Sequence, residues 1–260
     1  MEKRSRLFLV DGSALAYRSY FAFIRNPLIN SRGENTSAVF GFANSLFKII
    51  NEQKPEYLAV VFDTKAPTFR HKIYPEYKST RLKMPEDMVT QLPKIRELVE
   101  KLKLPFIELD GYEADDLIGT IATHAAKKKV QTVIVAGDKD FMQLVGDGIV
   151  MMVPQKGGEE IEFLDAKGVE QKMGVPPERI IDLLTLMGDT SDNVPGIPGV
   201  GPKTAVDLVK EFGGVEALME KVSSIKKEKL RENIVTHKEE AQLSRKLVTI
   251  DTAVPFDWKL

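Results

Sequence analysis

Arg6-Leu7-Phe8-Leu9-Val10-Asp11, Tyr57-Leu58-Ala59-Val60-Val61-Phe62-Asp63 and Thr132-Val133-Ile134-Val135-Ala136-Gly137-Asp138 share one pattern, a short apolar run that stops at aspartate. The runs are rich in β-branched and aromatic residues and lack the alternation of a strand with one wet face. Such runs form strands buried on both faces of a parallel sheet. In parallel sheets, ligands sit outside the carboxyl ends of the strands. The pattern therefore predicts that Asp11, Asp63, Asp138 and the nearby Asp140 share one crevice. Like charges so close repel strongly unless a cation lies among them.

Outward from these strands, Ser13–Phe21 reads as a helix capped by Ser13 or Asp11, and Ser37–Glu52 as a second helix. A helix from about Glu86 to Lys103, a strand over Pro105–Leu109 and a helix from Glu113 to about Lys128 follow. After the Val130–Ala136 strand come a helix near Phe141–Leu144 and a short strand or hairpin through Ile149–Phe163. At Gly174-Val175-Pro176-Pro177 the composition changes to helices broken by Gly-Pro turns. Strands alternating with helices, then helices alone, predict an α/β domain over 1–175 with a mostly parallel central sheet flanked by helices. An all-α domain over 176–260 follows it. The chain has 260 residues, a net charge of −1 and no cysteine. That excludes a disulfide framework and a thiolate metal centre, and fits the cytoplasm. No apolar run approaches the ~18 residues of a membrane span. Met1–Ser5 passes straight into the first strand without a signal-peptide pattern.

Two further acidic groups stand out. Glu113-Ala114-Asp115-Asp116 opens a helix, and Asp189-Thr190-Ser191-Asp192-Asn193 lies where a helix gives way to a Gly-Pro turn. Glu113 and Asp116 share a helix face, and Asp189 and Asp192 have the same spacing. A single aspartate at such a place is often only a cap or a complement to the helix dipole, and Asp116 and Asp192 suit that reading best. Capping does not explain why three strands end alike. His71, His124 and His237 are scattered outside the acidic motifs. Oxygen ligands alone suit Mg²⁺ or Mn²⁺, not Zn²⁺. The number of carboxylates suggests two cations, which at ~3.5–4 Å apart clamp the attacking and leaving oxygens of an in-line phosphoryl displacement.

The stretch Val194–Ala205 (Val-Pro-Gly-Ile-Pro-Gly-Val-Gly-Pro-Lys-Thr-Ala) is the second informative motif. Gly196, Gly199 and Gly201 permit a tight turn that exposes backbone N–H groups at a helix start. Lys203 adds a point charge beside Thr204, making an anion site. The pattern resembles a helix-hairpin-helix hairpin, which holds a DNA backbone without reading bases. Segment 64–85 carries Lys65, Arg70, Lys72, Lys78, Arg81 and Lys83 against one acid, Glu76, interleaved with Phe69, His71, Tyr74 and Tyr77. That composition suits phosphate contacts and base stacking. Its lack of period predicts disorder until nucleic acid orders it.

Asp11-Gly-Ser, Phe62-Asp63, Tyr112–Asp116, Gly137–Asp140 and Gly188–Asn193, followed by Gly196–Ala205, are similar in order and spacing to the 5′-nuclease family of flap endonucleases. The nearest branch is that of the 5′→3′ exonuclease domains at the N-terminus of bacterial DNA polymerase I. The resemblance implies a PIN-like α/β fold with a helical arch over about 64–103 and a C-terminal helix-hairpin-helix domain. It implies one Mg²⁺ at Asp11, Asp63, Glu113 and Asp115, with Asp116 close by. A second falls to Asp138, Asp140, Asp189 and Asp192. Mn²⁺ can substitute, and the resemblance allows K⁺ at the hairpin. It places Lys78 and Arg81 on the scissile phosphate, Tyr17 on the terminal base, and Arg70 and Tyr77 as arch contacts. The implied activity is structure-specific 5′→3′ exonuclease and 5′-flap cleavage of DNA in replication and repair, RNA primer removal and Okazaki-fragment processing included. Family members of the polymerase type continue into proofreading and polymerase domains.

Three rival readings fit parts of the pattern. A haloacid-dehalogenase-type phosphatase needs a second aspartate two residues after Asp11, where Ser13 stands. A PIN-type ribonuclease keeps the same carboxylates but prefers RNA. A non-catalytic scaffold would use only the hairpin and the basic segment.

Overall fold

A computed structural model describes residues 5–154 and 161–258. Its centre is one six-stranded sheet in the order β3-β2-β1-β4-β5-β6. The strands are β1 (Arg6–Asp11), β2 (Tyr57–Val61), β3 (Phe106–Ile107), β4 (Gln131–Val135), β5 (Ile149–Val153) and β6 (Glu162–Leu164). All neighbours run parallel except β5 and β6. The middle of the hairpin expected through Ile149–Phe163, residues 155–160, lies outside the described residues.

The three Asp-terminated runs are the adjacent central strands β2, β1 and β4, with Leu9 facing Ala59 on one side and Ile134 on the other. Side chains alternate across the pleat. Leu7, Leu9, Val61 and Ile134 therefore join one buried cluster, and Phe8, Val10, Val60, Val133 and Val135 another. The second cluster is covered by α1 (Gly12–Ala22), α2 (Ser37–Lys48) and α5 (Leu92–Lys101). The helix expected over 86–103 is split, with α4 (Glu86–Val89) preceding α5; Pro93 in the first turn of α5 suits a restart there.

The first cluster is covered by α6 (Ala114–Lys127) and runs without a break into the C-terminal helices. These are α7 (Ala166–Met173), α8 (Ile180–Met187), α9 (Pro202–Phe212), α10 (Val215–Glu220), α11 (Glu228–Thr236) and α12 (Lys238–Val248). The two parts of the chain thus share one core. Among the described residues no helix is long and apolar enough to cross a membrane.

Segment 64–85 is folded, contrary to the disorder its composition predicts. It forms α3 (Phe69–Ile73) and a run of turns, with Arg70 and Tyr77 buried. The hairpin depends on two glycines set back to back. Gly188 (φ 68°) and Gly196 (φ 62°) lie in the left-handed region, where side chains are disfavoured. A Cβ on Gly188 would stand 2.5 Å from the Val194 carbonyl oxygen. Between them Asp189 and Val194 exchange backbone hydrogen bonds of 3.0 and 2.7 Å, and Gly196 N donates to Ser244 Oγ on α12 at 2.9 Å.

Candidate active site

The carboxyl ends of β1, β2 and β4 and the start of α6 frame one cleft. Asp11 is the last residue of β1 and the N-cap of α1, its Oδ1 accepting from Ala14 N at 2.9 Å. Asp63 follows β2. Its backbone N–H donates to Ser13 Oγ (2.9 Å) and its Oδ1 accepts from Ala114 N (2.9 Å), which ties β2 to α1 and α6. Asp138 caps the 3-10 turn Lys139–Leu144 by accepting from Asp140 N at 3.0 Å. Each of the three aspartates thus accepts a backbone N–H at a helix or turn start while lying at the carboxyl end of its strand.

These carboxylates feel one another. Burial pushes the Asp11 carboxyl up to about 7; the charges of Asp63 and Asp138 add to the rise, and the Ala14 N–H opposes it. Asp115 is raised well above its usual range by burial, then by Asp11, Asp138 and Asp63. Asp140 is pushed up to about 8 by burial and Asp138, against the pull of Lys139. Its Oδ1 is buried and has no hydrogen-bond partner among the described residues. Among those residues no three acidic side chains close into a ready cage. They face each other at a separation where their charges still interact. An all-oxygen set of mutually repelling carboxylates with one orphaned oxygen fits a divalent cation of the Mg²⁺ or Mn²⁺ type. Asp11, Asp63, Asp115, Asp138 and Asp140 are the residues that would hold it.

A carboxyl whose folded-state value is raised favours the protonated protein. Its contribution to stability is complete below the usual carboxylate value of 3.8 and is lost as pH rises through about 7 for Asp11 and about 8 for Asp140. Without divalent cations, Asp11→Asn should therefore melt higher than the parent at pH 8 by roughly 5 °C, with the difference vanishing near pH 4. Thermal melts in EDTA at both pH values check this, and a pH-independent difference would contradict it.

Glu113 and Asp192 sit differently from the direct metal ligands that their pattern suggests. Glu113 is buried, with Oε1 accepting from Lys78 Nζ (2.8 Å) and Oε2 from the Tyr77 hydroxyl (3.2 Å). Asp192 accepts from Arg81 Nε (2.9 Å) and the Tyr77 hydroxyl (3.2 Å), and lies 3.7 Å from Lys78 Nζ. Both acids therefore anchor the cations of the basic segment. Lys78 keeps 19% of its side chain exposed and Arg81 50%. Lys78 adopts φ 57°, a left-handed turn that its backbone N–H, donating to Asp192 O at 2.9 Å, helps to hold.

Three expected site residues have other surroundings than the sequence suggests. Asp116 is 0% exposed, and both its oxygens accept from Arg70. Arg70, expected as an arch contact, is 2% exposed and its donors are bound within the protein. Tyr77 is buried with its hydroxyl between Glu113 and Asp192, so it steadies them instead of stacking on a base. Asp189 accepts from Ser191 N (2.8 Å) and from Lys139 Nζ, and these bonds hold it below its usual range despite burial. Lys139 and Asn193 were missed by sequence reasoning. Asn193 donates to Glu76 O at 2.8 Å and so fastens the 189–193 loop to the basic segment. The alternation Asp138-Lys139-Asp140 was the only hint of the first.

Tyr17, on α1, leaves 39% of its surface exposed and packs against Phe21 with ring centroids 4.7 Å apart. At the hairpin, Gly199 (φ 81°) turns the chain and Asn233 Nδ2 fastens Pro198 O at 2.9 Å. Gly201 is the N-cap of α9, with Lys203 exposed and Thr204 partly exposed in its first turn.

The model of the 5′-3′ exonuclease N-terminal resolvase-like domain matches residues 6–174, and that of the 5′-3′ exonuclease C-terminal SAM fold matches residues 175–260. The chain is 43% identical over 258 residues to DNA polymerase I of Bacillus subtilis, covering 99% of this chain and 29% of that protein. It is 42% identical to the thermostable DNA polymerase I of Thermus filiformis, covering 98% and 30%. It thus spans under a third of the length of these relatives. Among solved structures, the bacteriophage T5 flap endonuclease with DNA and metal ions superposes with a TM-score of 0.78 at 21% identity, covering 95% of this chain and 90% of that one. The catalytic core of Rad2 in complex with DNA superposes at 0.60 with 18% identity, covering 99% and 84%. At these identities the structural likeness speaks for the fold, while two contiguous domain matches that together run from residue 6 to 260 place the chain in the 5′-3′ exonuclease family.

Proposed function

We propose that the chain is a divalent-metal-dependent 5′-nuclease that hydrolyses DNA phosphodiesters at or near a 5′ end or flap. The observation that carries this reading is the meeting of Asp11, Asp63, Asp115 and Asp138 at the ends of three adjacent strands and one helix, with Lys78 beside them and Arg81 on the neighbouring Asp192. Bound at these carboxylates, Mg²⁺ ions supply the activation of water and the neutralisation of charge that displacement at phosphorus needs, and Mn²⁺ serves in their place. Water adds to phosphorus and the P–O3′ bond breaks. The O3′ oxygen leaves and takes a proton to become the 3′-hydroxyl of one product, and the phosphate stays on the 5′-carbon of the other. Lys78 and Arg81, held ready by Glu113 and Asp192, meet the charge that develops on the phosphate oxygens. Tyr17 offers a face for the terminal base, and the 196–204 hairpin holds the duplex backbone.

Recognition then rests on shape and phosphate, not on base edges. The substrates fitting such a site are 5′ flaps and nicked or gapped duplexes, RNA-primed strands among them. Such substrates arise in replication and repair.

The test is cleavage of end-labelled 5′-flap duplexes of DNA and of RNA in Mg²⁺, with binding measured across salt in Ca²⁺. We expect a product with a 5′-phosphate, DNA flaps cut at least as fast as RNA flaps, and affinity falling steeply with salt. About 0.9 unit of log slope is expected per phosphate contact. Absence of cleavage, or a flat salt response, would overturn the reading.

A further inference from the structure

Arg70 and Asp116 lie outside the cleft and touch no group that reacts, yet they form the most completely bonded ion pair described in the chain. Arg70 NH1 and NH2 donate to Asp116 Oδ2 and Oδ1 at 2.7 and 2.8 Å, a planar fork. Arg70 Nε also donates to Leu247 O, and NH2 to Thr249 O, each at 2.8 Å. Asp116 Oδ1 takes a further bond from Asp251 N (2.9 Å), and Oδ2 one from Glu113 N (3.1 Å). Three distant stretches meet here: α3, the first turn of α6, and the chain that leaves α12.

A buried ion pair adds little net stability, because desolvation offsets most of the attraction. What it does supply is register, since its bonds close only in one arrangement. The same stretches carry the site. Glu113 sits one turn before Asp116, its Oε2 3.6 Å from Arg70 NH1, and it holds Lys78 and Tyr77. Segment 70–81 is therefore pinned at one end by Arg70 on α6 and at the other by Asp192 and Asn193.

We propose that Arg70 and Asp116 are a positioning pair, a buried clasp that locks the C-terminal stretch 247–251 against α6 and thereby sets Lys78 and Arg81 at their distance from the metal-binding carboxylates. This rests on the nuclease reading above. It makes the stretch after α12 a working part of the active-site frame, and it assigns a residue of the basic segment to catalysis without DNA contact.

The experiment compares the parent chain with Arg70→Gln and Arg70→Lys on a 5′-flap duplex. In Mg²⁺ it measures the single-turnover rate at saturating DNA. In Ca²⁺ it measures affinity across salt. Hydrogen exchange at amides 74–81 is followed without DNA. We expect a rate loss of up to about 10²-fold in both variants, the size of a small misplacement. Lysine should not rescue, because an ammonium cannot fork. Affinity and salt slope should stay at the parent values, and exchange at 74–81 should quicken. In a Lys78→Ala background, Arg70→Gln should add little, since both changes act on one unit. If Arg70→Gln does not fold, Arg70→Met with Asp116→Leu replaces the pair by apolar groups that such sites often tolerate, and the same readings apply.

Weaker binding with a salt slope shallower by about one would make Arg70 a phosphate contact and overturn the proposal. So would unchanged rates, rescue by lysine, or losses that simply multiply with Lys78→Ala. A parent chain that cuts no flap would sink the nuclease reading alone; the exchange measurement then still decides whether the clasp holds segment 74–81.

Discussion

Asp138→Ala should lower the single-turnover rate of flap cleavage at saturating Mg²⁺ by about 10³-fold or more, while the protein folds and binds DNA in Ca²⁺ nearly as before. Metal ions contribute several kcal/mol of transition-state charge stabilisation, and each 1.36 kcal/mol is tenfold in rate. Asp138 is the right carboxylate for this test because it is exposed, and its one hydrogen bond among the described residues is the cap from Asp140 N at 3.0 Å. Losing a cap costs about 1 kcal/mol, far less than the expected catalytic loss. Asp11 would be a poorer choice, since it is buried and starts α1. Binding of Mn²⁺, followed by electron paramagnetic resonance, should weaken in step with the rate. Parent-like activity in Asp138→Ala would remove the metal-binding role proposed for the strand ends.

The legible part of the site is the part written in consecutive residues. A run such as Leu7–Val10 must be a strand, because its apolar side chains fill both faces of the pleat. Neighbouring parallel strands of this kind bring their last residues together without further instruction, so Asp11, Asp63 and Asp138 were readable at once. Asp115 was legible as a residue of a helix start, while its part in a metal site came only with the resemblance to the 5′-nuclease family. The illegible part depends on pairs far apart in the chain. Arg70 and Asp116 are 46 residues apart, and Leu247 is 177 from Arg70. From sequence, an arginine in a basic run reads as a surface cation and the last carboxylate of Glu113–Asp116 as one more ligand. Only the fold shows that each uses up the other. The surroundings of Tyr77 were illegible for the same reason. Aromatic interleaving suggests stacking on bases, but its hydroxyl lies between two buried or half-buried acids, Glu113 and Asp192, that no local pattern places there.

Lys78→Ala should cost about 10²–10³-fold in single-turnover rate, the loss typical when one donor to a developing oxyanion is removed. The structure adds a complication that the experiment must separate. Lys78 Nζ lies 2.8 Å from Glu113 Oε1, and Glu113 is only 5% exposed. Removing the ammonium leaves a buried carboxylate with the Tyr77 hydroxyl at 3.2 Å and Arg70 at 3.6 Å, an under-compensated charge that destabilises the fold by about 2 kcal/mol. The backbone itself is not the cause, since alanine and lysine meet the same strain at φ 57°. The double variant Lys78→Ala with Glu113→Gln takes the stranded charge away. It should recover most of the lost melting temperature and none of the lost rate, because the donor to the phosphate is still missing. Recovery of both together would mean that Lys78 serves only to neutralise Glu113. Recovery of neither would mean that Glu113 itself acts in the cleft, in the ligand role its place in the acidic motif first suggested.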